Sequence, residues 1–296
     1  MTTNGLKTAL LLGGLTGVLL LVGYAIGGEA GLVLGFLFAA VMNLGAYWFS
    51  DRIALRMAGA REVSEAQAPQ LHSLVANLAQ VSGLPKPRVA IIQSDAPNAF
   101  ATGRNPQNAL VGVTAGILEI LEPRELSAVL AHELGHVRNR DILIGAVAAT
   151  IAGAVTMIAQ MGHYTMMFGG RGDDDEGGGG GILTTLLMLI LAPLAAVLIQ
   201  LAISRSREFG ADDTGAKLSG DPEALARALE KLDAYSKRIP LPVNPAVSHL
   251  FIVAPLTGLS VQKLFSSHPP TAERVARLRV VERDPGAPDP EPALNR

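Results

Sequence analysis

The sequence predicts a mainly α-helical integral membrane protein with four transmembrane helices and a cytoplasmic α+β domain that carries a small β-sheet. The 296-residue chain is 49% hydrophobic and only 17% charged. Its mean hydropathy of +0.34 is high for a water-soluble protein, and the apolar residues fall into four charge-free runs. The absence of cysteine excludes a disulfide framework and any cysteine-based site. The net charge of −2 gives no reason to expect a nucleic-acid partner.

An N-terminal membrane hairpin is predicted over residues 1–50. The segments Thr8–Gly28 and Ala30–Ser50 contain no charged residue, and only Glu29 separates them. About 20 helical residues span the hydrocarbon core of a bilayer, so each segment is long enough to cross it once. A cleaved signal peptide fits less well, because its apolar part is shorter and a second full span follows here at once.

Residues 51–141 are predicted to form the first part of the cytoplasmic domain. Pro69–Ser82 is typical of a helix that begins at a proline and stops before a glycine. The segments Arg88–Gln93 and Ala109–Thr114 indicate short strands. Between them, Asn98–Gly103 indicates a hairpin or an edge strand.

The chemistry of this first part lies in residues His132–His136, which read His-Glu-Leu-Gly-His. Pro123 can start the helix that carries them, and apolar residues follow at helical spacing. Side chains four positions apart share one face of a helix, so His132 and His136 can bind one zinc ion. Glu133 is then placed to take a proton from the attacking water. The alternative is a pair of ordinary surface histidines.

A second membrane hairpin is predicted over residues 142–203. Its helices cover 142–161 and 182–203, and an acidic, glycine-rich loop joins them. Pro193 is expected to kink the second helix, which a membrane bundle tolerates. The alternative is a pair of buried helices in a soluble domain, but the runs exceed the length that such helices usually need.

A catalytic zinc ion normally has three protein ligands and one open position, so a third ligand is required. The candidates are Glu208, Asp212, His163, His249 and His268. The second hairpin returns Glu208 to the level of His136 and leaves His163 across the membrane. Glu208 is therefore the predicted third ligand. Asp212 lies on the same helical face and is predicted to accept a hydrogen bond from a ligand imidazole. The alternative for both carboxylates is an ion pair with one of the two arginines just before Glu208.

Residues 204–283 are predicted to complete the cytoplasmic domain, and the proline-rich residues 284–296 to form a disordered tail. Asp221-Pro222 is a typical helix start, with aspartate as N-cap and proline at the first helical position. Pro269-Pro270 starts a last helix that carries several arginines.

The distribution of basic residues predicts the orientation. Four spans place both termini and both polar segments on one side of the membrane. That side carries Lys7, Arg52, Arg56, Arg61, Arg138, Arg140, Arg205 and Arg207. The loops on the other side carry Arg171 alone. Because basic residues near span ends accumulate on the cytoplasmic side, the domain is predicted to face the cytoplasm.

Three motifs together resemble the HtpX family of bacterial membrane zinc endopeptidases, which is related to the CAAX prenyl proteases. They are His132–His136 before an apolar run, Ser204–Asp212 after the next run, and Ser267–Pro270 near the end of the chain. The resemblance covers nearly the whole chain, including its four apolar runs.

The resemblance implies a zincin-like (gluzincin) domain with one catalytic zinc ion. The zinc ligands would be His132, His136 and Glu208, with Glu133 as the base. It also implies a stress-response role in protein quality control, in which misfolded or damaged proteins are cut at the bacterial cytoplasmic membrane. The implied partners are protein substrates, the lipid bilayer and an ATP-dependent membrane protease.

Two further assignments follow from the resemblance. Asn98, Ala99 and Phe100 are similar to the family's strand beside the cleft, which would hold an extended peptide by backbone pairing. The alternative is an ordinary strand end. His268 falls where the family has a histidine near the zinc ion, and it would stabilise the oxyanion. The alternative is a packed or capping histidine.

The competing functional class is a non-catalytic membrane adaptor or scaffold that binds metal without turnover. Glu133 distinguishes the two classes, since a scaffold has no use for a general base beside its first ligand. For an enzyme, the apolar, proline-containing segment Ile239–Ser267 is expected to gate substrate access.

Overall fold

The computed structural model of the chain describes residues 3–150, 205–253 and 269–283. Within these ranges the protein is mostly helical and contains one four-stranded sheet. The fourth apolar run, the acidic glycine-rich loop, His163, His268 and the tail lie outside the described residues, so the expectations for them stay predictions.

The N-terminal hairpin is a single bent helix, α1 (Thr3–Ala58), whose backbone reverses at Gly27 and Gly28. Gly28 has a φ of +57°, a conformation that glycine adopts without strain. The two arms pack so closely that a Cβ atom at Gly23 would lie 2.3 Å from the carbonyl oxygen of Gly31. This region is therefore a helical hairpin.

The second arm of this hairpin, Gly27–Ala58, is the one helix in the described ranges that is long and apolar enough to cross a membrane. Large apolar side chains on this arm are widely exposed; they include Leu34, Leu37, Val41 and Leu44, at 55–68% exposure. Such a surface is unfavourable in water and suits a hydrocarbon environment. The crossing of the first arm and of the second hairpin stays a prediction.

The helix of the second arm continues past Ser50, the predicted boundary of the membrane hairpin, and that boundary stays a prediction. Asp51 is buried and forms an ion pair with Arg88, which lies outside this helix. Leu55 packs in an apolar cluster around Phe100. The arm thus continues into the core of the domain and ends at Ala58, before Gly59, whose φ of +68° is typical of a helix stop.

A mixed sheet lies next to the end of this arm. Its strands are β1 (Ala60–Glu62), β2 (Arg88–Ile92), β3 (Ala99–Thr102) and β4 (Leu110–Thr114), in the order β1-β2-β4-β3. β2 and β4 are parallel, whereas β1–β2 and β3–β4 are antiparallel. The predicted strands are confirmed, and β3 is the edge strand that one of the two alternatives expected.

The α-helices described after α1 are α2 (Pro69–Ser82), α3 (Ala115–Ile120), α4 (Pro123–Arg138), α5 (Arg205–Ser219), α6 (Pro222–Ser236) and α7 (Thr271–Arg283), and residues 142–150 are helical as well. α2, α4 and α6 begin at proline, whose missing N–H is not needed at the first helical position. The Asp221 side chain caps α6 by accepting a hydrogen bond from the N–H of Ala224 at 2.9 Å. The predicted helix starts are confirmed.

Close packing of α4 against α5 positions the site. A Cβ atom at Gly215 would lie 2.8 Å from the backbone nitrogen of His132, and one at Gly135 would lie 3.2 Å from Cα of Ala211. The two backbones approach this closely because glycine occupies both contact points. The approach places the first turns of α5 beside the histidines of α4.

Candidate active site

Two helices bring the three predicted metal ligands together. His132 and His136 lie one turn apart on α4, and Glu208 lies in the first turn of α5. Their ligand atoms all lie within 4.8 Å of one another. The carboxylate oxygens of Glu208 are 3.9 Å from Nε2 of His132 and 3.5 Å from Nε2 of His136.

These separations are close to those around a tetrahedral zinc ion and somewhat wider. Imidazole nitrogens and carboxylate oxygens bind zinc at about 2.0–2.2 Å, so ligand atoms on a tetrahedron lie about 3.3–3.5 Å apart. One of the two contacts of Glu208 has this length, and the other is slightly longer. Two imidazoles and one carboxylate also leave a fourth position open, as a catalytic zinc ion requires.

Each imidazole has a carboxylate at its other ring nitrogen. Oδ1 of Asp212 lies 2.9 Å from Nδ1 of His132, and Oδ2 of Asp141 lies 3.2 Å from Nδ1 of His136. Such contacts fix the tautomer and orientation of a metal-binding imidazole and leave Nε2 for the ion. Asp212 lies where the sequence predicted it, whereas Asp141 was missed. The signal for Asp141 was its position as the last charge before an apolar run.

The two imidazoles differ in their affinity for protons. Burial lowers the pKa of His132 to about 4, and the hydrogen bond to Asp212 opposes this only in part. Burial also acts to lower the pKa of His136, but the carboxylates of Glu208 and Asp141 outweigh it and raise this pKa to about 9. At neutral pH, a metal ion therefore meets a neutral His132 and has to displace a proton from His136.

A buried arginine on α7 completes this polar network. Arg274 is only 2% exposed and donates two hydrogen bonds to Asp212, at 2.8 Å from Nε and 2.6 Å from Nη2. Burial acts to raise the pKa of Asp212, but the Arg274 charge outweighs it and holds this pKa at about 2. Asp212 therefore stays ionised and can accept the hydrogen bond from His132. The sequence did not single out Arg274, because it is one of several arginines on a strongly polar helix.

Glu133 lies beside the three ligands and is 1% exposed. The backbone of Ala101 on β3 forms a hydrogen bond with its carboxylate, while Oε1 has no hydrogen-bond partner among the described residues. Burial raises the pKa of Glu133 to about 7, with Glu208 adding to the shift and His136 opposing it. A pKa near the working pH suits a group that accepts and returns a proton.

The predicted substrate strand is present as β3, but another part of the chain pairs with its outer edge. The three predicted residues Asn98, Ala99 and Phe100 are all buried. Residues 251–253, here called the strap, lie along them. Ile252 donates its N–H to the carbonyl oxygen of Ala99 at 2.9 Å. The Asn98 side chain donates from Nδ2 to the carbonyl oxygen of Val253 at 2.7 Å, and its Oδ1 accepts a hydrogen bond from the N–H of Val253 at 3.3 Å.

A narrow cleft of about 50 Å³ opens at Glu133 and at two of the three ligand residues, His136 and Glu208. Gly145, Arg207, His249 and Leu250 line its other side. Of the two arginines before Glu208, Arg207 thus reaches the cleft, whereas Arg205 is exposed. His249 contacts the carbonyl oxygen of Gly145 at 3.0 Å from Nε2, which fixes its place in the cleft wall.

Comparisons with known proteins agree with this site. Residues 65–282 match the model of peptidase family M48. The chain is 50% identical to a protein named Protease HtpX homolog from Desulforapulum autotrophicum, over 93% of this chain and 89% of that one. It is 54% identical to a protein of the same name from Thermodesulfovibrio yellowstonii, over 94% of this chain and 98% of that one.

A solved structure shares the fold. The crystal structure of S. mikatae Ste24p is similar with a TM-score of 0.50 and 23% sequence identity, over 93% of this chain. This chain spans 64% of the length of that one. At this identity the likeness concerns the fold alone, and it agrees with a mostly helical protein that contains a small mixed sheet.

Family membership rests on the extent of these matches. The family match covers well over half of the chain and includes every residue of the metal cluster. The relatives align with nearly their whole length at about half identity. The chain therefore belongs to peptidase family M48 and is a membrane metalloprotease.

Proposed function

We propose that this protein is a zinc-dependent endopeptidase whose single zinc ion is bound by His132, His136 and Glu208. The observation that carries the proposal is the convergence of these three side chains, whose ligand atoms lie within 4.8 Å of one another. Glu133, the buried residue between the two histidines, lines the same cleft and supplies a general base. A metal-binding scaffold without turnover has no need of this fourth group.

The division of labour among the side chains follows from their contacts. When bound, zinc supplies Lewis-acid polarisation of the scissile carbonyl and makes water a better nucleophile. Glu133 accepts the proton of the attacking water on Oε1, the oxygen without a described partner, and returns it to the leaving amine. Asp212 and Asp141 hold the imidazoles, and Arg274 in turn holds Asp212.

Substrate binding along β3 is part of the proposal. Backbone pairing with an edge strand recognises any extended peptide, which suits a protease of broad specificity. A peptide that uses the carbonyl oxygen of Ala99 has to replace Ile252 of the strap. The strap lies within Ile239–Ser267, the segment expected to gate access, and its displacement would be the gating step. The oxyanion role suggested for His268 stays a prediction.

We further propose that two membrane hairpins flank a catalytic domain that faces the cytoplasm. The apolar second arm of α1 and the concentration of basic residues on the domain's side support this topology. The proposed substrates are misfolded or damaged membrane proteins, cut as part of protein quality control together with an ATP-dependent membrane protease. The resemblance of the motifs to the HtpX family supports this role.

The test uses the full-length protein in detergent, stripped of metal by a chelator, with casein as an unfolded substrate. Added zinc is expected to restore cleavage as about one ion per chain binds, measured by elemental analysis of the same sample. Glu208→Gln is expected to lose both zinc and cleavage. Glu119→Gln, an exposed glutamate on α3, is the matched control that keeps both. Cleavage by the metal-free protein at the wild-type rate would contradict the proposal.

A further inference from the structure

A second cavity, of about 720 Å³, lies away from the metal centre, where the second arm of α1 meets the soluble domain. Its apolar side is formed by Val41, Leu44, Gly45, Trp48 and Phe49. Three arginines, Arg52, Arg88 and Arg104, line it together with Asp51 and Asn108. An apolar wall that ends in guanidinium groups is a distinctive combination, because it suits a ligand with an apolar chain and an anionic end.

The depth of this cavity follows from the proposed membrane insertion of the second arm. Ala30–Ser50 carries no charge, and at 1.5 Å per residue its helix is about 30 Å long, the thickness of a hydrocarbon core. The boundary of the core on the domain's side therefore lies near Ser50. Trp48 and Phe49 are each 51% exposed there, as is typical of aromatic residues at a membrane interface. The arginines thus lie at the depth of the lipid headgroups.

One of the three arginines is already compensated. Arg88 forms ion pairs with Asp51 and with Glu62. The pair with Asp51 holds the arm against the sheet. Within the lining, the charges of Arg88 and Asp51 cancel, and Glu62 does not line the cavity. The net charge available to a ligand therefore depends on the other two guanidinium groups.

Arg52 and Arg104 have no acidic partner in the part of the chain that the structure describes. The Arg52 guanidinium lies 5.9 Å from the ring centre of Phe49, and that of Arg104 lies 4.7 Å from the ring centre of Trp48. Arg104 also donates to the carbonyl oxygen of Trp48 at 3.3 Å, so it is held in place. Two guanidinium groups without an acidic partner therefore lie at the depth of the lipid headgroups, and that of Arg104 is already held in position. Such an arrangement favours binding of a phosphate group.

We propose that this cavity binds one anionic phospholipid from the leaflet on the domain's side. Its phosphate would contact Arg52 and Arg104, and an acyl chain would lie along Val41 and Leu44. A zwitterionic lipid fits less well, because its ammonium group cancels the charge that the two arginines require. Since Arg52 belongs to the membrane arm and Arg104 to the loop after β3, the lipid would join the catalytic domain to the bilayer surface.

The test uses Trp48, which is the only tryptophan of the chain, so its fluorescence reports on this cavity. The full-length protein is reconstituted into phosphatidylcholine bilayers that contain a small fraction of brominated phosphatidylglycerol or of brominated phosphatidylcholine. Bromine near the top of the acyl chain quenches tryptophan only at short range. Two basic groups at the membrane surface are expected to favour the anionic lipid by about 30-fold in the concentration dependence of quenching.

Variants separate a defined site from general surface attraction. Arg52→Gln/Arg104→Gln is expected to reduce the preference to about 2-fold or less, while Arg52→Lys/Arg104→Lys keeps most of it because the charge remains. Arg56→Gln is the matched control, since this exposed arginine lies on the next turn of the arm and does not line the cavity. Each variant is compared with its own unquenched signal, and its zinc-dependent cleavage of casein shows that it is folded.

Four results would overturn the proposal. Equal quenching of the wild type by the two brominated lipids would remove the lipid preference. An equal loss of preference in Arg56→Gln would show diffuse attraction to the surface. Suppression of the preference by added inorganic phosphate would indicate a site for the free ion. Quenching by neither lipid would show that the second arm is not in the bilayer, an outcome that leaves the zinc chemistry unaffected.

Discussion

Replacing Arg274 by methionine is expected to destabilise the folded protein. The substitution removes two hydrogen bonds to Asp212, of 2.8 and 2.6 Å, together with the positive charge that balances this carboxylate. Asp212 then stays buried, and its contact with the His132 imidazole remains. Loss of one member of a buried ion pair costs about 3–5 kcal/mol. In a domain of this size, each kcal/mol of lost stability lowers the midpoint of thermal unfolding by about 2–4 °C. The expected fall in the midpoint is therefore about 6–20 °C.

The same substitution is expected to weaken metal binding. Without Arg274 the pKa of Asp212 rises, so the carboxylate becomes a poorer acceptor for Nδ1 of His132. Changes to groups that orient a metal ligand typically reduce affinity by about 10–100-fold. Zinc titration of the metal-free protein measures this loss separately from the loss of stability.

Two further variants make the experiment decisive. Asp212→Leu/Arg274→Met removes both charges, so it is expected to regain much of the stability but not the zinc affinity. Arg279→Met is the matched control on α7, because its ion pairs with Glu223 and Glu230 are solvent-exposed and contribute little. Thermal unfolding is followed by circular dichroism in detergent. An Arg274→Met midpoint within about 2 °C of the wild type would refute the reasoning.

Three other predictions concern packing, protonation and the strap. Gly215→Ala would place a Cβ atom 2.8 Å from the backbone nitrogen of His132, so the unfolding midpoint and zinc affinity should both fall; Gly210→Ala, with no atom within 4 Å, should change neither. Zinc affinity should rise as pH approaches about 9 and then level off, because the raised pKa of His136 keeps a competing proton bound below that pH; a flat titration curve from about pH 6 to 9 would contradict this. Ile252→Pro removes the N–H that binds Ala99 and should raise kcat/KM for casein by about 2–10-fold; a fall without loss of thermal stability would argue that the strap supports the site.

Much of the fold after α1 could be predicted from local signals. Prolines at the first helical position identify the starts of α2, α4 and α6, and short apolar segments identify β2 and β4. These signals work because they reflect the preferences of a few neighbouring residues. The continuation of the second arm beyond Ser50 could not be predicted, since the ion pair of Asp51 with Arg88 joins residues that are distant in sequence.

In the candidate site, too, local patterns could be predicted and long-range contacts could not. His132, His136 and Glu208 could be found, because helical spacing fixes the first two and the predicted second hairpin was expected to return the third to their level. Arg274 could not be found, since its partner Asp212 lies far away in sequence and α7 offers several arginines. The strap was also out of reach, because pairing between Ile252 and Ala99 depends on how the whole domain closes. What sequence reasoning missed are long-range contacts that leave no local pattern.

The most direct measurement compares the wild type with Glu133→Gln, both loaded with zinc, in the cleavage of casein. Bound zinc is measured in each sample, and Glu119→Gln serves as the control for an exposed glutamate. We expect equal zinc content and a loss of about 10²–10⁴-fold in kcat for Glu133→Gln, because the ligands are intact and the proton acceptor is gone. Cleavage by zinc-loaded Glu133→Gln at the wild-type rate would contradict the assignment of Glu133 as the general base of a zinc peptidase.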